Sequence, residues 1–169
     1  MAHSIELLFD PDTEASLRAL WDELAAAERP SRAPVGRPHV TLLVAERIDP
    51  DVDTLLRPLA ARLPLPCAIG ATLLFGRNHA ILTRLIVPTA DLLAVHAEAH
   101  RICVGHLRPE PLPTSLPGQW TPHVTLARGV AESALGGALR IAGREPLIEG
   151  TFAGLRRWNS DEKADYLIG

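Results

Sequence analysis

The order of hydrophobic and polar residues predicts a chain in which short strands alternate with amphipathic helices. Apolar runs of strand length mark the strands, and apolar residues at helical spacing mark the helices. Clusters of proline, glycine and aspartate separate these segments. The predicted strands cover 4–9, 39–45, 67–75, 80–87, 121–128 and parts of 146–157 and 164–168, and the predicted helices cover 13–27, 49–63, about 89–104 and about 133–141.

The segments between these elements predict how the elements connect. Gly76-Arg77-Asn78-His79 separates two apolar runs, which predicts a β-hairpin. The loops over 29–38 and 105–119 are rich in proline, and a loop as long as the second often binds a ligand or covers a site. The whole order is a mixed α+β pattern in which helices cover the sheets.

One short string occurs twice in the chain. Residues 38–42 read Pro-His-Val-Thr-Leu, and residues 122–126 read the same, 84 residues further on and close to half the chain length. Both copies fall in predicted strands. Five identical residues, two of them polar within otherwise apolar strands, indicate an internal duplication.

The repeated string has a specific geometry. Because side chains alternate across a strand, the His and Thr of each copy face one side, about 7 Å apart, and the Val and Leu face the other side. If a pseudo-twofold axis relates the two copies, four polar groups meet in one cleft: His39, Thr41, His123 and Thr125.

These four groups suit the chemistry of a phosphodiester. An imidazole titrates near pH 6.5, so one histidine can take a proton from water while the other protonates a leaving ribose oxygen. The threonine hydroxyls can donate to the non-bridging oxygens of the phosphate. Arg128 follows the second motif, and strict alternation would place it on the Val and Leu side unless a twist or bulge turns it into the cleft.

Two His-x-Thr-hydrophobic motifs, one in each half, resemble the signature of the 2H phosphoesterase superfamily, and most closely its 2′-5′ RNA ligase-like (LigT-type) branch. The resemblance spans nearly the whole chain. It implies a single domain over 1–169 made of two similar lobes, an α+β pseudo-twofold duplication with antiparallel sheets lining a central cleft and helices outside. It also implies that His39 and His123 are catalytic and that Thr41 and Thr125 contact the phosphate.

The resemblance extends to residues that would bind the substrate. The second motif of some members ends in an arginine, and Arg128 matches it. Many members carry a phenylalanine five residues after the first histidine, where this chain has Val44, so a base would contact another aromatic residue such as Trp120 or Trp158. Trp120 directly precedes the second motif and can stack on a base. The alternative for Trp120 is a packed loop anchor.

The activity that the resemblance implies is hydrolysis of the 2′,3′-cyclic phosphate of an RNA end or a nucleotide to a 2′-phosphate. The reverse reaction would give 2′-5′ RNA ligation. Two alternatives remain open: a related enzyme acting on another phosphodiester, and a non-catalytic module that binds RNA ends or nucleotides. The intact histidine and threonine in both motifs argue against the non-catalytic module.

Composition and charge limit the class of ligand and the cellular location that we expect. A net charge of −3 disfavours a broad grip on a long nucleic acid but allows a small anion or an RNA end. The apolar surroundings of Cys67 and Cys103 indicate buried, reduced thiols, and no apolar stretch reaches the length of a membrane span. With no signal-peptide pattern at the N terminus, we expect a cytoplasmic monomer without a membrane or an obligate protein partner.

The sequence gives little support for a metal-dependent reaction. The acidic residues fall mostly on helices and in turns, and none lies inside either motif. His96 and His100 have the i, i+4 spacing of zinc ligands but lack an evident third ligand, which predicts a solvated helix face instead. We therefore expect no metal and no other cofactor.

Overall fold

The computed structural model describes residues 2–27 and 31–169. Strands and helices alternate along the chain as the sequence predicts. The strands are β1 (His3–Phe9), β2 (His39–Ala45), β3 (Arg47–Ile48), β4 (Leu65–Phe75), β5 (Ala80–Ile86), β6 (Leu107–Arg108), β7 (His123–Val130), β8 (Ile148–Asn159) and β9 (Ala164–Ile168). The α-helices are α1 (Pro11–Ala25), α2 (Val52–Leu55), α3 (Arg57–Ala60), α4 (Ala90–Cys103) and α5 (Leu135–Ala142), with 3-10 turns at Val104–His106, Pro113–Ser115 and Glu132–Ala134.

The structure differs from the predicted elements in two places. The helix predicted over 49–63 is two short helices, because Pro58 has no backbone N–H to donate to the preceding turn. The paired strands β3 and β6 were not predicted, since two residues are too few to show a periodicity. Residues 28–30, which follow the first predicted helix and include the start of the predicted loop over 29–38, lie outside the described part of the chain.

Seven strands form one antiparallel sheet in the order β1-β2-β7-β5-β4-β8-β9. Because β1 also pairs with β8, the first six strands close into a circuit. The strands β2 and β7 meet through a single residue pair, Val40 and Val124. The strands leave each other on either side of this pair, so a cleft opens between the two halves, and the α+β fold class is confirmed.

The two halves of the sheet repeat one arrangement. In the first half, β1 lies between β2 and β8, and in the second half β5 lies between β7 and β4. The registers also correspond: Leu8 is paired with His39 on β2, and Leu85 is paired with His123 on β7. The pseudo-twofold relation therefore covers β1-α1-β2 and β5-α4-β7.

The helices cover the outer face of the sheet. Helix α1 packs behind β7 and α4 packs behind β2, so each helix supports the motif strand of the other half. The apolar residues of both motifs face these helices and are fully buried: Val40, Leu42, Val124 and Leu126. Both helices begin at N-caps, where the side chains of Asp10 and Thr89 accept hydrogen bonds from backbone N–H groups of the first turn.

Two further predictions concern the cysteines and the length of the apolar helices. Cys67 and Cys103 are free and buried, as predicted, and burial raises the pKa of each thiol to about 12. Among the described residues, no helix combines the length and the apolar character needed to cross a membrane.

A buried arginine joins the second half of the sheet to its covering helix. Arg84 on β5 is 1% exposed and donates to five backbone carbonyl groups, those of Gly70, Ile69, Ala142, Glu145 and Pro146. The last three of these carbonyls lie at or shortly beyond the C-terminal end of α5, where the helix dipole favours a cation. Arg84 therefore holds β4, β5 and the end of α5 together.

Replacing Arg84 with methionine should lower the free energy of unfolding by at least about 3 kcal/mol, since several buried carbonyls lose a charged donor. Urea denaturation followed by circular dichroism measures this loss. Arg77→Met, in the exposed hairpin turn, is the control and should change stability by less than about 0.5 kcal/mol. Equal stability of the two variants would contradict the role given to Arg84.

Candidate active site

The four polar residues of the two motifs lie on the cleft face of the sheet. His39, Thr41, His123 and Thr125 are half-buried and alternate with the fully buried motif residues on the helix side. The pairing of Val40 with Val124 is antiparallel, so its continuation directs His39 towards Thr125 and Thr41 towards His123. Besides burial, the charge of His39 lowers the pKa of His123, so the two rings lie within electrostatic reach of each other.

A β-bulge follows the threonine of each motif. The register of β2 against β1 shifts at Leu42 and Leu43, and the register of β7 against β5 shifts at Leu126 and Ala127. Two consecutive residues are buried at each bulge, so the alternation of faces reverses beyond it. This reversal turns Arg128 into the cleft, where it lines a cavity together with His39.

Each bulge is supported by a tryptophan. The indole N–H of Trp120 donates to the carbonyl of Thr41 at 3.0 Å, and that of Trp21 donates to the carbonyl of Thr125 at 3.0 Å. A bulge leaves backbone groups without their ladder partner, and these indoles satisfy the two carbonyls. The tryptophans come from opposite halves of the chain and so tie both motif strands to the structure behind them.

Trp120 has further contacts away from the cleft. Its indole stacks on the imidazole of His96, with ring centroids 4.0 Å apart, and His96 bonds the carbonyl of Ser115 at 2.9 Å. His96 is 2% exposed, so the prediction of a solvated helix face at this residue was wrong. These contacts favour the packed-anchor alternative for Trp120, and its stacking on a substrate base stays a prediction.

The two motif histidines share one ring orientation. The Nδ1 of His39 lies 2.7 Å from the carbonyl oxygen of Arg37, and the Nδ1 of His123 lies 2.7 Å from that of Thr121. A carbonyl oxygen only accepts, so Nδ1 must carry a proton in both rings. The other nitrogen, Nε2, is left as the one that can exchange a proton with a substrate.

Beyond this shared feature, the two histidines have different neighbours. Nε2 of His39 lies 3.5 Å from Oε1 of Glu6, a carboxylate on β1 that is 3% exposed. Glu6 also accepts from Arg156 at 2.7 Å and from the hydroxyl of Ser4 at 2.6 Å. Both ring nitrogens of His39 therefore face oxygen acceptors.

His123 has an apolar neighbour in the corresponding place. Its ring packs on Phe75, with centroids 4.7 Å apart. At the position equivalent to Glu6 the second half has Thr83, whose hydroxyl donates to the carbonyl of Leu73. Burial lowers the pKa of His123, and the charges of His39 and Arg128 lower it further, so His123 is neutral at pH 7.

A cavity of about 400 Å³ opens beside His39. Its charged and aromatic walls come from three parts of the chain: Glu6, Arg156 and Trp158 on the first half, Arg128 on β7, and Arg32 with residues 33–36 of the connecting loop. Arg156 faces this cavity, whereas Arg157 faces the opposite side and pairs with Asp53 at 2.7 Å.

Three residues of this site were missed in the sequence. Glu6 left a signal, because it is the one acidic residue within the apolar run of the first strand. Phe75 and Arg32 could not be recognised from the sequence, since a phenylalanine at a strand end and an arginine in a proline-rich loop are common. Their proximity to the motifs depends on the closed circuit of strands.

The fold and the paired motifs define a protein of the 2H phosphoesterase type. The family model described as the 2′-5′ RNA ligase superfamily matches residues 11–163. The chain belongs to this superfamily, which confirms the family resemblance seen in the sequence. Among curated proteins, none matches the chain in sequence.

Solved structures share the fold. The crystal structure of TT0787 of Thermus thermophilus is 19% identical with a TM-score of 0.62, covering 100% of this chain and 96% of its own. The PDE domain of MHV ns2 is 16% identical with a TM-score of 0.56, covering 99% of both chains. Kluyveromyces marxianus Usb1, solved with uridine monophosphate, is 11% identical with a TM-score of 0.53, covering 99% of this chain and 96% of its own.

Trp120→Phe tests the anchor role of this tryptophan. The phenyl ring can keep the stack on His96 but cannot donate to the carbonyl of Thr41, so we expect a loss of about 1–2 kcal/mol in unfolding free energy. Urea denaturation measures the loss. Trp158→Phe, on the wall of the cavity and away from both bulges, is the matched control. An unchanged Trp120→Phe stability would argue against the indole as a support of the bulge.

Proposed function

We propose that this protein is a metal-independent phosphodiesterase that hydrolyses the 2′,3′-cyclic phosphate of RNA ends or nucleotides to a 2′-phosphate. The observation that carries the proposal is the pair of motif histidines on the cleft face, each with Nδ1 on a backbone carbonyl and Nε2 as the nitrogen that can exchange a proton with the substrate. The uridine monophosphate bound to Usb1 supports a nucleotide as the ligand of this fold. The PDE domain of MHV ns2 supports a phosphodiester as the bond that is cleaved.

The proposed division of labour follows from the different neighbours of the two histidines. His123 is the general base, because partial burial lowers the pKa of its imidazole, which favours the neutral ring whose Nε2 can accept a proton. His39 takes the complementary role of general acid, and the carboxylate of Glu6, 3.5 Å from its Nε2, orients the ring. Glu6 is thus a positioning residue that acts through His39.

The reaction proceeds in one displacement. Nε2 of His123 takes a proton from water, and the water oxygen forms a bond to phosphorus in line with the ribose O3′. The bond from phosphorus to O3′ breaks, and Nε2–H of His39 gives its proton to that oxygen. The product is a 2′-phosphate and a free 3′-hydroxyl, and exchange of protons with solvent resets both histidines. With a 5′-hydroxyl RNA end in place of water as the nucleophile, the same forward steps form a 2′-5′ linkage and leave a free 3′-hydroxyl.

The remaining groups of the cleft bind the phosphate. The hydroxyls of Thr41 and Thr125 donate to the non-bridging oxygens, on which charge increases in the transition state. Arg128 adds a cation beside the same oxygens, consistent with its position in the cavity with His39 and its electrostatic effect on His123. Trp158, on the cavity wall, is the aromatic residue best placed to stack on a base.

Two broader alternatives share this cleft. A related enzyme would use the same histidines on another phosphodiester, and a panel of substrates separates it from the first proposal. A module that only binds RNA ends or nucleotides would bind the same ligands without turnover. We also propose that the protein is a cytoplasmic monomer, and the two free buried thiols support the cytoplasmic location.

Turnover in EDTA tests the proposed function. Both proton transfers come from the protein, so the purified protein should open an RNA end with a 2′,3′-cyclic phosphate in excess EDTA. His39→Ala and His123→Ala should each lower kcat by about 10²- to 10⁴-fold. Phosphorus NMR identifies the product as the 2′- or the 3′-phosphate. The absence of turnover, or its survival in either variant, would remove the proposal.

The pH dependence tests the assignment of His123 as the base. Since its pKa is lowered, the acid limb of kcat/KM should fall below the value of about 6.5 of an ordinary histidine. Phe75→Ala admits water to the ring and should move this limb upward towards 6.5. Phe9→Ala, a core change away from the cleft, controls for general loosening and should leave the limb in place. An acid limb that does not respond to Phe75→Ala would argue against His123.

A further inference from the structure

The loop after α1 is hydrogen-bonded to the end of the second motif strand. The N–H of Arg32 donates to the carbonyl of Arg128 at 2.9 Å, and the N–H of Arg128 donates to the carbonyl of Arg32 at 2.8 Å. Residues that exchange both hydrogen bonds are directly opposite each other, with Cα atoms about 5.5 Å apart and side chains on the same side. Both arginine side chains line the cavity beside His39.

The charges of these two arginines are available to a ligand. Both side chains are exposed, and among residues 2–27 and 31–169 neither makes an ion pair with a carboxylate. Arg156 on the same cavity differs, because Glu6 and Asp165 hold it. Like charges on directly opposite residues repel, so an anion between Arg32 and Arg128 would be stabilised by both.

The backbone beside Arg128 makes room for the guanidinium of Arg32. Gly129 has φ of +67°, and a Cβ built there would lie 3.4 Å from Nε of Arg32. The positive φ disfavours other residues at this position, and an added Cβ would be in ordinary van der Waals contact with the guanidinium. The Arg32 side chain thus lies over the strand end, next to Arg128.

The two arginines lie side by side on the wall of the cavity. Arg128 shares the cleft with both histidines, which places it at the phosphate that reacts. Arg32 belongs to the loop wall, one backbone pairing further from the sheet. Resting on the proposed function, we infer that Arg32, next to the Arg128 that binds the reacting phosphate, forms a subsite for a second phosphate of the substrate.

This subsite narrows the substrate class. A nucleoside 2′,3′-cyclic phosphate has one phosphate and would leave Arg32 without a partner. An RNA end, or a nucleotide with a 5′-phosphate, has a second phosphate across the same ribose, and a guanidinium can bind it with two parallel hydrogen bonds. A net charge of −3 over the whole chain means that this recognition is local to the cavity.

A pair of matched substrates tests the subsite. Adenosine 2′,3′-cyclic phosphate is compared with the same compound carrying a 5′-phosphate, and kcat/KM is measured for both. The wild-type protein should prefer the 5′-phosphorylated compound by about tenfold or more, the effect of a charged hydrogen bond. Arg32→Ala should reduce this preference to about onefold. Arg62→Ala removes the same charge from an exposed position after α3 and should keep the preference.

Binding of product analogues tests the subsite without turnover. Calorimetry compares adenosine 2′-phosphate with adenosine 2′,5′-bisphosphate on the wild type, Arg32→Ala and Arg62→Ala. Tighter binding of the bisphosphate that is lost only in Arg32→Ala supports the subsite. Equal binding of both compounds by the wild type, or an equal loss in both variants, overturns it. If neither cyclic substrate is turned over, the proposed function fails, and this binding comparison alone decides the subsite.

Discussion

The backbone pairing of Val40 with Val124 is the contact on which the candidate site depends. It is the single residue pair between β2 and β7, and it joins two halves that are otherwise connected on the far side of the circuit through β8. A longer ladder would bring the motif strands together along their length and close the cleft. With one pair, the strands stay in register at the motifs and separate beyond them. The polar groups on either side of the pair then face a common space.

The two halves share a backbone plan but differ in chemistry. Bulges, indole supports and histidine orientation occur in both, so the duplication preserves the geometry of the motifs. The neighbours of the histidines do not follow the symmetry: Glu6 beside His39 has Thr83 as its counterpart, and Phe75 covers His123. Two identical imidazoles can therefore take opposite roles. The arginines that line the cavity also break the symmetry, because the cavity adjoins His39.

Much of the fold could be predicted, because strands and helices of ordinary length leave a clear periodicity and the repeated string locates both halves. The side of the sheet on which Arg128 lies depends on a β-bulge in β7. The sequence showed that a bulge would be needed to turn Arg128 into the cleft, but the residue pattern does not predict where a bulge forms. Trp120 and His96 turned out to stack on each other, a contact between an element and a loop that local sequence does not encode. Glu6, Phe75 and Arg32 are neighbours of the motifs only after the circuit has closed.

A substrate that needs no proton on its leaving group tests the division of labour most directly. 3′-Deoxyadenosine 2′-(4-nitrophenyl) phosphate keeps phosphorus on O2′ and releases 4-nitrophenolate in place of O3′, so His39 has no proton to supply, whereas His123 must still activate water. His39→Ala should retain activity on this ester to within about tenfold of the wild type, while losing about 10²- to 10⁴-fold on a 2′,3′-cyclic phosphate. His123→Ala should lose activity on both. Equal losses for both variants on both substrates, or retention by His123→Ala alone, would contradict the assigned roles.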